Sequence, residues 1–368
     1  MSAQIGPTAQ ESAGVSANVS PTPRQNAGVE RRVDLVFEGG GVKGVALAGA
    51  YLELSERGYT PECVAGTSAG AITAALVAVG YSGAELEDIV LGQMHFPSFE
   101  DQTFLDRLGP PGEFAEFIAR GGIHSGDFFL SWIRKLLAAK GKTKFGDLRS
   151  PSGEGGNRAY ALQVITSDLT DRSMLVLPRD AGNLGIDPDE LEIAQAVRMS
   201  MSIPVFFKPV AQKHPVTGVE HVIVDGGILS NYPIWLFDAP GSAPPRFPTF
   251  GMMLVAPGQD APVLPTAAPG DVLADVRSRI EFLKLIVETM ADAHDRFYVE
   301  QANYARTIPI PTLGVRTTQF DITPERTREL FESGRTAAKK FLSTWDFEAY
   351  KATFRSEKPP PGRRESVT

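Results

Sequence analysis

Val33 to Phe37, VDLVF, is a short and nearly unbroken apolar run of the kind a buried strand uses. Three glycines follow, and then Val45 to Glu56 carry apolar residues at helical spacing, with Gly58 placed to end the helix. The unit recurs at once. Glu62 to Ala65 predict a short buried strand, and Ala69 to Val79 predict an Ala-rich helix closed by Gly80. Ser82 and Glu85 then form an S-x-x-E capping box that opens another helix. From residue 94 to 126 the periodicity is lost in a stretch rich in Phe, Pro and Gly, which predicts a functional loop region.

Regular pattern returns with a helix at about 127–140, a polar loop at 150–158, and a strand pair at 161–166 and 173–178. A helix from Leu191 to Ser200 stops before Pro204, and strands are predicted at 221–225 and 248–256. The last long pattern, about 271–302, sets Val272, Val276, Ile280, Leu283 and Val287 on one face of an amphipathic helix. Strands interleaved with helices predict an α/β fold, with a mainly parallel central sheet and helices on both faces. Residues 1–32 are rich in Ser, Ala, Gln and Pro and predict a disordered leader; residues 349–368 predict a disordered tail. Between them lie a core at 33–237 and an extension at 238–348 that packs on it, with the Pro-rich stretch 241–247 as the seam.

Composition narrows the possible partners. Of 368 residues, 42% are hydrophobic and 22% charged, and the net charge is −8. An acidic chain is a poor match for nucleic acid, so no nucleic-acid partner is expected. Cys63 is the only cysteine, which excludes an intrachain disulfide and a cysteine-based metal cluster. No segment approaches the roughly 20 apolar residues of a membrane span, and the N-terminus lacks the basic and apolar regions of a secretory signal. A cytoplasmic or peripheral-membrane location is expected, with non-Sec secretion open. Any membrane contact would be apolar, and MHFPSF (94–99), Phe128-Phe129 and IWLF (234–237) are candidates, IWLF more as core.

The glycine turn after the first strand has two readings. Gly39, Gly41 and Gly44 satisfy G-x-G-x-x-G, which cradles a pyrophosphate in dinucleotide-binding folds. The same bare N–H groups at a helix start also suit an oxyanion. A dinucleotide site wants an acid at the end of the second strand; here that end carries Gly66-Thr67-Ser68-Ala69-Gly70, a G-x-S-x-G turn. Such a turn exposes a serine hydroxyl above the sheet, and Gly66 and Gly70 give the room. The oxyanion reading is therefore preferred. A nucleophilic serine needs a base, and Asp225 follows an apolar strand in HVIVDGG, although Asp-Gly is equally an ordinary turn.

Together these residues resemble the patatin-like phospholipases. Gly39, Gly40, Gly41, Val42, Lys43 and Gly44 look like that family's oxyanion loop, Gly66 to Gly70 like its nucleophile elbow, and Asp225-Gly226-Gly227 like its D-G-G motif. Residues 196–210 and Asn231 to Pro233 are similar to further family segments, and the resemblance spans about 33–237. It implies a three-layer α/β fold and hydrolysis of fatty acyl esters by a Ser68–Asp225 dyad, with N–H groups around Gly40, Gly41 and Val42 holding the oxyanion. It implies no cofactor and no metal. The expected partner is a phospholipid or lysophospholipid substrate at a membrane surface, with a protein activator left open. Lys43 opposes the helix dipole and is read as structural. Three rivals remain: a Ser–Asp–His hydrolase using His294, an acyltransferase using the same acyl-enzyme, and a non-catalytic lipid-binding protein. His221, His95, His124 and His214 lack ligand spacing.

Overall fold

The computed structural model describes residues 31–93, 122–124, 126–150, 155–238, 244–256 and 301–355. Ten strands lie among them: β1 (Arg31–Phe37), β2 (Tyr59–Thr67), β3 (Gly122–His124), β4 (Leu162–Asp168), β5 (Ser173–Leu177), β6 (Val205–Phe207), β7 (Val210–Lys213), β8 (Glu220–Asp225), β9 (Thr249–Val255) and β10 (Thr307–Pro311). The helices are α1 (Val45–Glu56), α2 (Ala69–Ala78), α3 (Gly83–Asp88), α4 (Asp127–Ala139), α5 (Ile193–Ser200), α6 (Gln301–Tyr304), α7 (Pro324–Thr344) and α8 (Phe347–Phe354).

The main sheet runs β10-β9-β1-β2-β4-β8-β7, with β5 also paired to β4. From β10 to β4 all pairs are parallel, whereas β5, β7 and β8 pair antiparallel. The sheet is thus mixed, and the expected parallel character holds for its first five strands. Alternation along β1 explains its two faces. Val33, Leu35 and Phe37 join a large core with α1, α2, α5 and α7, while Val36 faces a smaller one built with Tyr232, Ile234, Leu236 and Phe237. The α/β reading with helices on both faces stands.

β4 has an unusual set of neighbours that decides where the site forms. β5 takes one edge of β4 over Val164 to Asp168. The other edge is shared: β2 pairs with Leu162 to Ile165, and β8 with Thr166 to Asp168. Thr67 lies opposite Ile165, and Asp225 lies opposite Thr166, the next residue. The C-terminal ends of β2 and β8 therefore meet head to head.

Several boundaries differ from expectation. β1 begins at Arg31, inside the expected leader, because Arg31 and Arg32 continue the pairing with Tyr59 and Thr60. α8 occupies 347–354, where a disordered tail was expected from 349; Asp346 caps it through Ala349 N–H at 2.8 Å, and Tyr350 packs on Trp345. β9 and β10 extend the sheet itself beside β1. The expected helix at 271–302 lies outside the described residues except for its last two positions, as do His294, His95 and the stretch 94–99.

Candidate active site

Ser68 sits between β2 and α2 with φ 53° and ψ −124°, in a left-handed region that non-glycine residues rarely adopt. The turn can be this tight because its flanks have no side chains. A Cβ on Gly66 would strike the Gly70 carbonyl, and one on Gly70 would strike the carbonyls of Phe37 and Glu38. The Ser68 side chain lies beside the Asp225 carboxyl, close enough to pull its pKa down, and both residues are buried. Asp225 Oδ1 also accepts from Gly227 N–H at 2.7 Å, while its Oδ2 is buried with no hydrogen-bond partner. Burial pushes the Asp225 carboxyl up to about 7, against the opposing pull of Ser68 and of the Gly227 hydrogen bond.

The backbone of both residues is held by one segment inside the stretch 196–210, whose individual roles the sequence had left open. Ser200 Oγ accepts the Ser68 N–H at 2.8 Å and donates to the Ile165 carbonyl at 2.6 Å. Two residues on, the Ser202 carbonyl accepts the Asp225 N–H at 3.0 Å. The end of α5 thus pins the two meeting strand ends to each other and to β4. Ser200 is fully buried, and a polar residue at the last position of an otherwise apolar helical face was the available signal.

The glycine loop lies beside the elbow: a Cβ on Gly39 would crowd the Ser68 side chain. Gly39 is tied to the turn after Asp225. Its N–H donates to the Asn231 carbonyl at 3.1 Å, and Asn231 Nδ2 returns a bond to the Gly39 carbonyl at 3.1 Å. Among the described residues no hydrogen bond takes the N–H of Gly40 or of Gly41. The Val42 N–H differs from expectation, since it donates to the Thr317 carbonyl at 3.0 Å. Gly41 allows that contact; its φ is 54°, and a Cβ there would run into the same carbonyl. Lys43 and Gly44 lie in the short 3-10 turn before α1, where the Lys43 N–H donates to the Gly40 carbonyl at 3.1 Å.

Other candidates fall elsewhere. His221 Nδ1 pairs with Asp168 Oδ2 at 2.7 Å, and Asp171 Oδ2 lies 3.7 Å away. Spacing along the chain hid this group, because the β4–β8 pairing assembles it. Asp168 Oδ1 meanwhile accepts the Thr170 N–H at 2.8 Å, so the cluster closes a turn. No hydrogen bond links His221 to Ser68. In IWLF only Trp235 is exposed, and of the pair Phe128-Phe129 only Phe128 is. No helix among the described residues is long and apolar enough to cross a membrane.

A serine in a strained elbow, a carboxyl beside it and two unengaged N–H groups next door thus form one cluster where β2 and β8 meet. The family model for patatin-like phospholipases matches residues 35–238, and this chain belongs to that family. The uncharacterized protein YqhO of Bacillus subtilis (strain 168) is 38% identical over 315 residues, covering 86% of this chain and 99% of that protein. An uncharacterized NTE family protein of Mycobacterium tuberculosis is 27% identical over 206 residues; the match covers 55% of this chain and 27% of that protein. Among solved structures, VipD from Legionella pneumophila superposes with a TM-score of 0.48 at 20% identity, covering 86% of this chain and 67% of that one.

Proposed function

We propose that this protein is a lipid acyl hydrolase of the phospholipase A or lysophospholipase type, working through a Ser68–Asp225 dyad. The observation that carries the reading is the buried Asp225 carboxyl beside Ser68, with one oxygen left without a partner and its pKa raised to about 7, where a carboxylate is basic enough to take a hydroxyl proton. In the first half-reaction Ser68 Oγ attacks the acyl carbonyl carbon as its proton passes to Asp225. The oxyanion that forms is received by the N–H groups of Gly40 and Gly41. Collapse expels the alcohol portion of the lipid, which takes the proton back from Asp225 and leaves an acyl-Ser68. Water then attacks that ester, giving its proton to Asp225, and the fatty acid departs as the proton returns to Ser68 Oγ. The strain at Ser68, of about 1–3 kcal/mol, is held by the surrounding hydrogen bonds and keeps the hydroxyl aimed at substrate.

The experiment is labelling with a fluorophosphonate probe, followed by peptide mapping and product analysis on mixed phospholipid vesicles. Label on Ser68 alone, lost in Ser68→Ala, with free fatty acid among the products, is the expected result. Label on a different serine removes the assignment. Acyl groups found on a second lipid, with no free fatty acid, turn the reading to acyl transfer.

A further inference from the structure

An apolar cavity opens beside the glycine loop and runs between α1 and α2, with about 690 Å³ of empty space when its open mouth is included. Gly41 and Ala69, the neighbours of the unengaged N–H groups and of Ser68, line one part of it. From there α2 contributes Ala69, Ile72, Thr73 and Leu76, one face of the helix at three- and four-residue spacing. Among the described lining residues only Thr73 has a polar side chain. Both helices are buried along almost their full length, α1 partly by α7, so this space sits where close packing is the rule. Water is a poor occupant, because the walls offer it almost no hydrogen-bond partners.

We propose that this cavity is the seat of a single unbranched acyl chain, and that Ala48 on α1 and Leu76 on α2 set the chain length accepted. The inference rests on the hydrolase reading. An ester carbonyl placed at the Gly40 and Gly41 N–H groups has its alkyl side directed past Ala69 into the space. Ala48, a small side chain, lines it from α1, and Leu76 lines it about two turns beyond Ala69 on α2. From Ala69 to Leu76 the helix rises about 10 Å at 1.5 Å per residue. An extended chain with carbon–carbon bonds of about 1.5 Å needs about eight carbons to cover that path. Each methylene buried there is worth about fourfold in kcat/KM, the increment expected for moving one from water to an apolar wall.

The test is a ladder of 4-nitrophenyl esters from butanoate to dodecanoate, read as ratios of kcat/KM within each variant, together with calorimetric binding of decanoate to the Ser68→Ala protein. The wild type is expected to gain about fourfold per methylene up to about eight carbons and then level off. Ala48→Phe, filling the space from the α1 side, should lower the octanoate-to-butanoate ratio at least tenfold. Leu76→Ala should move the plateau to longer chains; it also decides the matter if Ala48→Phe fails to fold by thermal melting. A flat wild-type ladder, or Ala48→Phe and Leu76→Ala ladders that both match wild type, would overturn the assignment. Decanoate that binds Ser68→Ala and is lost on adding Ala48→Phe supports the channel by itself. If Ser68 then resists the fluorophosphonate probe, the hydrolase reading falls while the channel stands.

Discussion

Two aspartates are buried in the same sheet, and their surroundings differ in kind. Asp34, inside β1, is met on every side. Arg158 donates to both of its oxygens, Cys63 N–H donates to Oδ1 at 3.2 Å, and Thr249 Oγ1 to Oδ2 at 3.5 Å. Asp225, at the end of β8, has no cation among the influences on its charge and one oxygen without a partner. Burial raises both carboxyls, Asp34 to about 6 against the pull of Arg158, and Asp225 to about 7. A charge that only has to exist is neutralised by an arginine. In the proposed mechanism Asp225 has to accept a proton at neutral pH, and there the carboxyl is left short of donors.

Five measurements press on this contrast. The largest effect is expected for Asp225→Asn, which keeps the shape and the Gly227 bond but removes the base; turnover should fall at least about 10³-fold. Asp34→Asn should leave turnover within a few-fold. Equal losses in the two variants would erase the distinction. In the wild type, kcat/KM should rise with pH through about 7, because the ionised Asp225 is the active form.

Stability gives the next effect. A carboxyl whose folded pKa is raised holds its proton in the folded state while the unfolded chain has released it. Its burial is therefore harmless below about pH 4 and weakens the fold as pH rises to the folded value. For Asp225 the total is on the order of 4 kcal/mol, spread from about pH 4 to 7. Asp225→Asn should melt above wild type at pH 8 and level with it near pH 4.5. Between pH 6 and 7 the slope belongs to Asp225 rather than Asp34, so a slope there that survives the Asn substitution would contradict the assignment.

Asp34→Asn removes the Arg158 ion pair but also a carboxyl that burial has raised to about 6, so its stability relative to wild type should rise between about pH 4 and 6 and then level; urea unfolding across pH reads this directly, and a difference still growing from pH 6 to 7 would contradict it. The smallest effect is expected at Ser200. Ser200→Ala frees the Ser68 N–H and should lower kcat about 30-fold with KM little changed, as misplacement of a reacting group does. A rise in KM with kcat intact would make Ser200 a packing residue only.

Local chemistry was readable from the chain where local rules decide. The span of α1 coincides with the predicted Val45–Glu56, and the Ser82–Glu85 box closes in both directions, with Ser82 N–H to Glu85 Oε2 at 2.8 Å and Glu85 N–H to Ser82 Oγ at 3.3 Å. The neighbourhood of Ser68, Asp225 and the glycine loop followed from the resemblance to the patatin-like phospholipases rather than from local pattern. What the chain concealed depends on contacts between distant segments. A strand pattern carries no direction, so the antiparallel β8 and its head-on meeting with β2 were invisible. For the same reason the Asp168–His221 pair was missed: the two residues are 2.7 Å apart across β4 and β8 and far apart in sequence. The role of Ser200 likewise depends on where the end of α5 lands.

The Thr317 carbonyl against Gly41 and Val42 has a consequence for how such enzymes diverge. The family model ends at residue 238, and Thr317 lies well beyond it. A chimera carrying this chain's first 238 residues and a relative's C-terminal part would keep Ser68, Asp225 and every loop glycine. It would exchange the carbonyl that takes the Val42 N–H. In the proposed mechanism, donor number at the oxyanion is therefore a heritable property of the C-terminal region, open to change while the matched motifs stay identical.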